Sequence, residues 1–206
     1  MLLICLEVLT QVIKIVSGIY GGRLIEAPEG KSTRPTTNRV REAVFNSLCS
    51  NYSRDLTLEG ANVLDLFAGS GALGFEALSR GANHCVFCDV NAKAISTLKK
   101  NSSALNVSDE SFSIIKIDYK SENISETLSP FAPFDLVVLD PPYAFSPQVV
   151  FSCVQSFKEC GLVSVDAIFY YEHSNKTNLG GLEVGLDLLY NKCFGEVGST
   201  ILRITD

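Results

Sequence analysis

An α/β fold, a mostly parallel sheet with helices on both faces, is predicted by three features of the 206-residue chain. From residue 62 onward, short apolar runs alternate with segments of helical periodicity, the pattern of successive strand–helix units. The first unit carries Gly69, Gly71 and Gly74 in GSGALG, the G-x-G-x-x-G spacing of a sharp turn between a strand and a helix. The last two apolar runs have little between them, which predicts a terminal antiparallel hairpin.

The elements follow in order. KIVSGIYGGRL (14–24) reads as a strand running into a turn. A loop bearing glycine and proline comes next, then a helix started by Thr36 or Thr37, with Val40, Val44, Phe45 and Leu48 on one face. NVLDLF (62–67) is a buried strand, and ALGFEALSR (72–80) a short helix that Gly81 can close in a left-handed conformation. HCVFCDV (84–90) is a strand, NAKAISTLKKNSSAL (91–105) a helix, FSIIKID (112–118) a strand, and a helix lies near 121–129. FDLVVLD (134–140) is the most apolar strand. A helix near 147–159, a strand through VDAIFYYEH (165–173), and strands around 182–191 and 197–204 complete a seven-stranded sheet. Residues 1–55 are expected to be an N-terminal strand–loop–helix extension, and 56–206 the main domain.

Bulk composition narrows the function. A chain with 46% apolar residues can bury a substantial core and is neither disordered nor fibrous. Its formal charge of −6 argues against indiscriminate coating of nucleic acid. Seven cysteines, an odd number scattered through apolar segments, fit reduced thiols better than a disulfide framework. The greasy start MLLICLEVLTQVIKIVSGI lacks a basic beginning and a small-residue cleavage site, and Glu7, Gln11 and Lys14 interrupt it. The expected location is cytoplasmic, with no membrane contact. Residues 1 to about 11 have no partner in the scheme and read as an extension, or as a product of where translation was taken to begin.

The glycine turn alone fits a dinucleotide, S-adenosylmethionine or no ligand. Asp65, four residues before the first glycine at its strand's end, disfavours a phosphate anion and favours a ligand with a positive amine and sulfonium. Asp89, ending the next strand, stands where a carboxylate accepts both ribose hydroxyls. Asp118, ending the third, is a candidate for the adenine edge or a solvated strand-end acid. DPPY, Asp140 to Tyr143, decides between ligands. Pro141 and Pro142 rigidify the chain and remove two donors, so carbonyls of Asp140 and Pro141 can project into a cleft, and Tyr143 offers a flat face. An acid, a forward carbonyl and an aromatic platform suit a planar group bearing an NH2; gripping its hydrogens favours the pyramidal, nucleophilic amine. Asp140 can also take the released proton. In a doubly wound sheet the fourth strand neighbours the first at about 4.8 Å, so GSGALG and DPPY flank one crevice.

LDLFAGSGALGFEALSRGA with DPPY resembles class I S-adenosylmethionine-dependent methyltransferases acting on exocyclic amines, a Rossmann-like fold. With SGIYGGRL, RPTTNRVREAVFNSL and GSTILRI added, residues 14–204 look like the bacterial RsmD family, which methylates a guanine N2 of small-subunit ribosomal RNA. The resemblance implies a donor site at Phe67, Ala68, Gly69, Ser70, Gly71 and Asp89, beside the Asp65 and Asp118 inferred from position, and a catalytic motif at Asp140, Pro141, Pro142 and Tyr143. IDYK at 117–120 departs from the family's usual asparagine or aspartate followed by alanine. The resemblance also gives a role to the basic N-terminal segment: Arg23, Lys31, Arg34, Arg39 and Arg41 would hold phosphates while Tyr143 stacks on a flipped base. A solvated helix face neutralised by Glu42 is the plainer reading of that segment. The expected partner is small-subunit ribosomal RNA or its particle, assembled or assembling, met by a monomer.

Other constellations carry less. His84, Cys85 and Cys88 do not read as a metal site, because strand alternation sends the two thiols to opposite faces. Cys153 and Cys160 are expected to pack, Ser70 lacks a hydrolase elbow, and Glu172 and His173 can line the cleft without an assigned role. The competing functions are a DNA adenine-amine methyltransferase, for whose recognition insertion the chain has no room, a nicotinamide oxidoreductase, and a catalytically silent RNA-binding assembly factor.

Overall fold

The computed structural model describes residues 11–28, 37–50, 58–142, 145–180 and 185–205. β1 (Val12–Lys14) and β2 (Leu24–Glu26) form an antiparallel pair, followed by α1 (Asn38–Ser50). Then come β3 (Asn62–Asp65), α2 (Ala72–Ser79), β4 (His84–Asp89), α3 (Ala92–Leu105) and β5 (Phe112–Lys116). α4 (Ile124–Leu128), β6 (Phe134–Leu139), α5 (Pro147–Glu159), β7 (Val163–Ser174), β8 (Leu186–Phe194) and β9 (Val197–Ile204) complete the chain.

The large sheet has the order β5-β4-β3-β6-β7-β9-β8. It is parallel from β5 to β7, and β9 runs antiparallel to both β7 and β8. The strand order reverses beside β3, which pairs with β4 on one side and β6 on the other. That reversal opens a crevice at the carboxyl ends of β3 and β6, where such sheets bind ligands.

Side-chain alternation splits the core into two layers. Val63, Phe87, Val138 and Tyr170 face α1, α2, α3 and the β1–β2 hairpin; Leu64, Val137, Phe169 and Tyr171 face α4 and α5. Val40, Val44, Phe45 and Leu48 bury the predicted face of α1, and Thr37 precedes it with its Oγ1 and carbonyl both accepting from the Val40 N–H. Cys85 and Cys88 enter different layers, as alternation requires.

Three expectations differ. The helix near 121–129 is shortened to α4 mainly at its start, where tight turns take the Ser121 N–H to the Asp118 carbonyl and the Ile124 N–H to the Ser121 carbonyl; at its end the chain tightens into a 3-10 turn at Ser129–Phe131, where Pro130 has no amide donor. The strand placed at 182–191 lies further on, since the tight turn at Gly195 (φ +65°) lets pairing run to Phe194 and Val197. Cys160 is exposed at the end of α5 while Cys153 is half-buried. Among the described residues no helix is long and apolar enough to cross a membrane.

Buried polar groups fasten the hairpin to the main sheet. The Glu76 carboxylate of α2 accepts from the Val16 N–H at 2.7 Å, the Ser17 N–H at 3.1 Å and Arg80 Nε at 2.8 Å. Ile19 donates its N–H to the Ser79 carbonyl, and at Gly18 a Cβ would lie 1.7 Å from that carbonyl oxygen. Only glycine permits this approach.

Candidate active site

Four carboxylates stand in a row along the crest of the sheet. Asp89 ends β4, Asp65 ends β3, Asp140 follows β6, and Glu172 lies near the end of β7. The register pairs Asp65 with Phe87 and Val138, and Val138 with Tyr170. One pleat further, Asp89, Asp140 and Glu172 share the face of those partners, so the row lies on the side covered by the hairpin and α1. All four line one cavity of about 550 Å³.

The glycine turn forms one wall. The Ala68 carbonyl accepts from the Gly71 N–H at 2.7 Å, and Gly69 (φ +54°) and Gly71 (φ +80°) take conformations that side chains disfavour. Asp89 fixes this turn from below: its Oδ2 accepts the Gly69 N–H at 2.9 Å and its Oδ1 the Asn91 N–H at 2.7 Å. Asn101, buried in α3, donates to the carbonyls of Ser70 (2.8 Å) and Glu26 (2.9 Å) and accepts from the Glu26 N–H. The turn is thereby tied to β2. Phe67 continues the wall, touching Tyr119 and Phe145 with ring centroids 5.5 and 5.7 Å apart.

The electrostatics follow from crowding acids, Asp65, Asp89 and Glu172 among them buried, into one cleft. Burial pushes the Asp65 carboxyl up to about 7, against the Gly74 N–H that donates to it at 3.1 Å, with Asp89 adding to the rise. Asp140 is also held well above the usual carboxylate range, by desolvation first and then by the charges of Glu172 and Asp65. Such a group is poised for a cation or for proton exchange.

Pro141 and Pro142 line the cavity with Asp140, and Asp118, also in its lining, is exposed, its Oδ1 accepting the Lys120 N–H. Tyr143, Lys31 and Arg34 lie outside the described residues. Arg39 is exposed on α1. Two expected phosphate contacts need correction. Arg41 is 1% exposed, with Nη2 donating to the Lys14 carbonyl and Asn38 Oδ1 at 2.6 Å, and it lines the cavity floor among the acids. Arg23 is half-buried and donates to the carbonyls of Leu105 and Ala104, neutralising the end of α3.

Sequence reasoning gives no site role to Asn101, and none of their structural roles to Arg41 and Glu172. For Asn101 a signal exists: it occupies the apolar stripe of Ala94, Leu98 and Leu105 in α3, where an amide must have buried partners. His173, beside Glu172, turns the other way, against Tyr171 and Thr200 Oγ1.

Residues 13–203 match the family model described as Conserved hypothetical protein 95. The chain belongs to this family. YlbH of Bacillus subtilis (strain 168) is 32% identical over 190 residues, 92% of this chain and 98% of that protein. Ribosomal RNA small subunit methyltransferase D of Escherichia coli (strain K12) is 30% identical over 185 residues, 90% of this chain and 86% of that one. Among solved structures, yhhF from Escherichia coli matches with a TM-score of 0.75 and 27% identity, covering 95% of this chain and 99% of that chain.

This family member has the Rossmann-like fold of class I methyltransferases, the class whose methyl donor is S-adenosylmethionine. SMU.776, solved with SAH, shares the fold at a TM-score of 0.59 and 13% identity, over 81% of this chain and 49% of that one. The cavity fits such a donor: a glycine turn without side chains in the way, a buried acid of raised pKa for a cationic centre, and a strand-end carboxylate for hydroxyls.

Proposed function

We propose that the protein transfers a methyl group from S-adenosylmethionine to the exocyclic N2 of a guanine in small-subunit ribosomal RNA, within the assembled or assembling particle. One observation carries the reading: the Asp140–Pro141–Pro142 segment and the glycine turn line the same 550 Å³ cavity, each directly after one of two adjacent parallel strands. Its relative in Escherichia coli is named for ribosomal RNA small subunit methylation.

Asp65 would hold the donor's ammonium, Asp89 its ribose hydroxyls, and the turn from Phe67 to Gly71 would lie along its length, with Asp118 and Tyr119 near the adenine. When bound, S-adenosylmethionine supplies an electrophilic methyl carbon on a sulfonium. After β6, the Asp140 carboxylate and the Pro141 carbonyl accept the two hydrogens of the guanine amine. That grip draws the nitrogen lone pair out of conjugation and aims it across the crevice. As the N–C bond forms and the S–C bond breaks, one N–H proton passes to Asp140, whose high pKa suits the task. Tyr143 would stack on the flipped base, and residues 1–55 would meet the RNA through Lys31, Arg34 and Arg39, leaving 56–206 as the transferase domain.

The test is to incubate the protein and labelled donor with small-subunit particles and with free ribosomal RNA, then map any labelled nucleotide by mass spectrometry. Label on a guanine N2 is expected. Label on adenine, or none with a donor-binding protein, defeats the proposal. Asp140→Ala should lose at least 100-fold in turnover and keep donor affinity within about threefold.

A further inference from the structure

Glu172 is the member of the carboxylate row that the chemistry above does not use. It is 2% exposed, lines the cavity, and follows the register one step past Leu139 and Tyr171, which sets it beside Asp140 on the next strand. Its Oε2 accepts from the Tyr170 hydroxyl at 3.0 Å. A carboxylate offers roughly four acceptor sites and no donor, so one that serves Tyr170 and lies in the field of Arg41 is still of the type that accepts from a donor brought into the cavity. Arg41 stands close enough for its charge and that of Glu172 to attract, which compensates a buried anion at this depth.

The order of the row gives the position meaning. From β4 to β7 it runs from Asp89 through Asp65, on the glycine-turn side, to Asp140 and then Glu172. A base whose amine is held at Asp140 extends over β7. Guanine carries two neighbouring donors on its Watson–Crick edge, N2–H and N1–H, whereas adenine pairs its amine with a bare N1 acceptor. Adjacent strands about 4.8 Å apart place two acceptors where those neighbouring donors can be taken separately.

We infer that Glu172 is a specificity-determining residue that accepts the N1–H of the target guanine while Asp140 and Pro141 hold its N2, so that a base with a lone pair at N1 is rejected. This inference rests on the guanine-N2 reading above. A carboxylate facing the N1 lone pair leaves both acceptors unpaired at a buried position, a penalty that binding sites built for a donor impose strongly. The same residue thus separates guanine from adenine without any recognition insertion.

The probe is ribosomal RNA in which the mapped guanine is replaced by 2-aminopurine, which keeps the 2-amino group and has a lone pair at N1. Binding is followed without donor by 2-aminopurine fluorescence and by competition with the guanine RNA, and turnover is measured separately. The parent protein is expected to favour guanine by at least tenfold in both. Glu172→Gln, whose amide can donate to N1, should weaken guanine binding and raise that of 2-aminopurine, cutting the preference at least tenfold. A parent without preference, or a Gln variant with parental melting and donor affinity whose preference is unchanged, overturns the inference. Because 2-aminopurine also lacks O6, the variant carries the decision: should Glu172→Gln fail to fold, Glu172→Met, which offers N1–H no oxygen acceptor, takes its place, with the preference again expected to fall and an unchanged preference overturning the inference. A protein that labels no guanine N2 fails earlier, in the mapping experiment, and the two failures are thereby distinguished.

Discussion

The carboxylate of Asp89 holds the amide of Gly69, 20 residues earlier in the chain, at 2.9 Å, and its other oxygen holds the Asn91 amide. One side chain therefore sets the glycine turn and lines the cavity beside it. Asp89→Asn, which keeps one acceptor, should lower S-adenosylmethionine affinity about 10-fold to 100-fold. Asp89→Ala should lower it further and cost roughly 1–3 kcal/mol of stability. Calorimetric titration with parallel melting curves separates the two effects; a variant that melts lower with unchanged affinity would reduce Asp89 to scaffolding.

The buried Asp65 carboxyl ties stability to pH and, through the proposed pairing with the donor's ammonium, donor affinity as well. Its folded pKa of about 7 lies above the unfolded value, so its stabilising contribution is complete below about pH 4 and is lost as pH rises through 7. A rise of that size corresponds to a cost on the order of 4 kcal/mol for the ionised form. Asp65→Asn should raise the melting temperature at pH 8 and not at pH 4. A cationic ligand wants the ionised acid, so donor affinity should fall up to tenfold per pH unit below pH 7 and peak before the donor's own amine deprotonates near 8. A flat affinity profile between pH 5.5 and 7.5 would refute the pairing.

The glycines of the turn differ in what they forbid. A Cβ at Gly69 would meet only the Phe67 carbonyl at 3.9 Å, whereas at Gly74 it would lie 2.3 Å from the Phe87 ring and 2.8 Å from Cys85 Sγ. Gly69→Ala should cost on the order of 1 kcal/mol through its positive φ, and Gly74→Ala roughly 2–3 kcal/mol by forcing α2 off the sheet. Denaturant midpoints would rank them; equal losses would mean that packing behind α2 yields more easily than these distances imply.

The arginines of the N-terminal segment fall into two kinds. Replacing Arg34 and Arg39 by alanine should weaken RNA binding and reduce its salt slope by about 1 for each phosphate no longer held, with melting unchanged. Arg41→Ala instead uncovers buried acids, at roughly 3–5 kcal/mol, and should lower the melting temperature on the order of 10 °C. Filter binding across a salt series checks the first, and calorimetry the second.

The sheet, the crevice and the two facing motifs are legible in the sequence because strands of a parallel sheet are written as local apolar runs and each motif sits directly after one. Asp65, Asp89 and Asp140 can be found for that reason. Arg41 reads as a phosphate contact because its neighbours in the chain are basic, while its burial depends on where α1 docks, a long-range event. Glu172 is visible at the cleft without a role, since only the β6–β7 register sets it beside Asp140. Asn101 stands out in principle as an amide in an apolar stripe, yet its partners at Ser70 and Glu26 are 31 and 75 residues away.

The fastening of the first hairpin to Glu76 and Asn101 bears on how such a chain can be cut and inherited. Excising everything before α1 would strip two amide donors from the Glu76 carboxylate, leaving it Arg80, and both Glu26 partners from the Asn101 amide, leaving it the Ser70 carbonyl. The leading segment and the body behind it are therefore bound to change together: a lineage that swaps one must re-satisfy the other, or lose the enzyme.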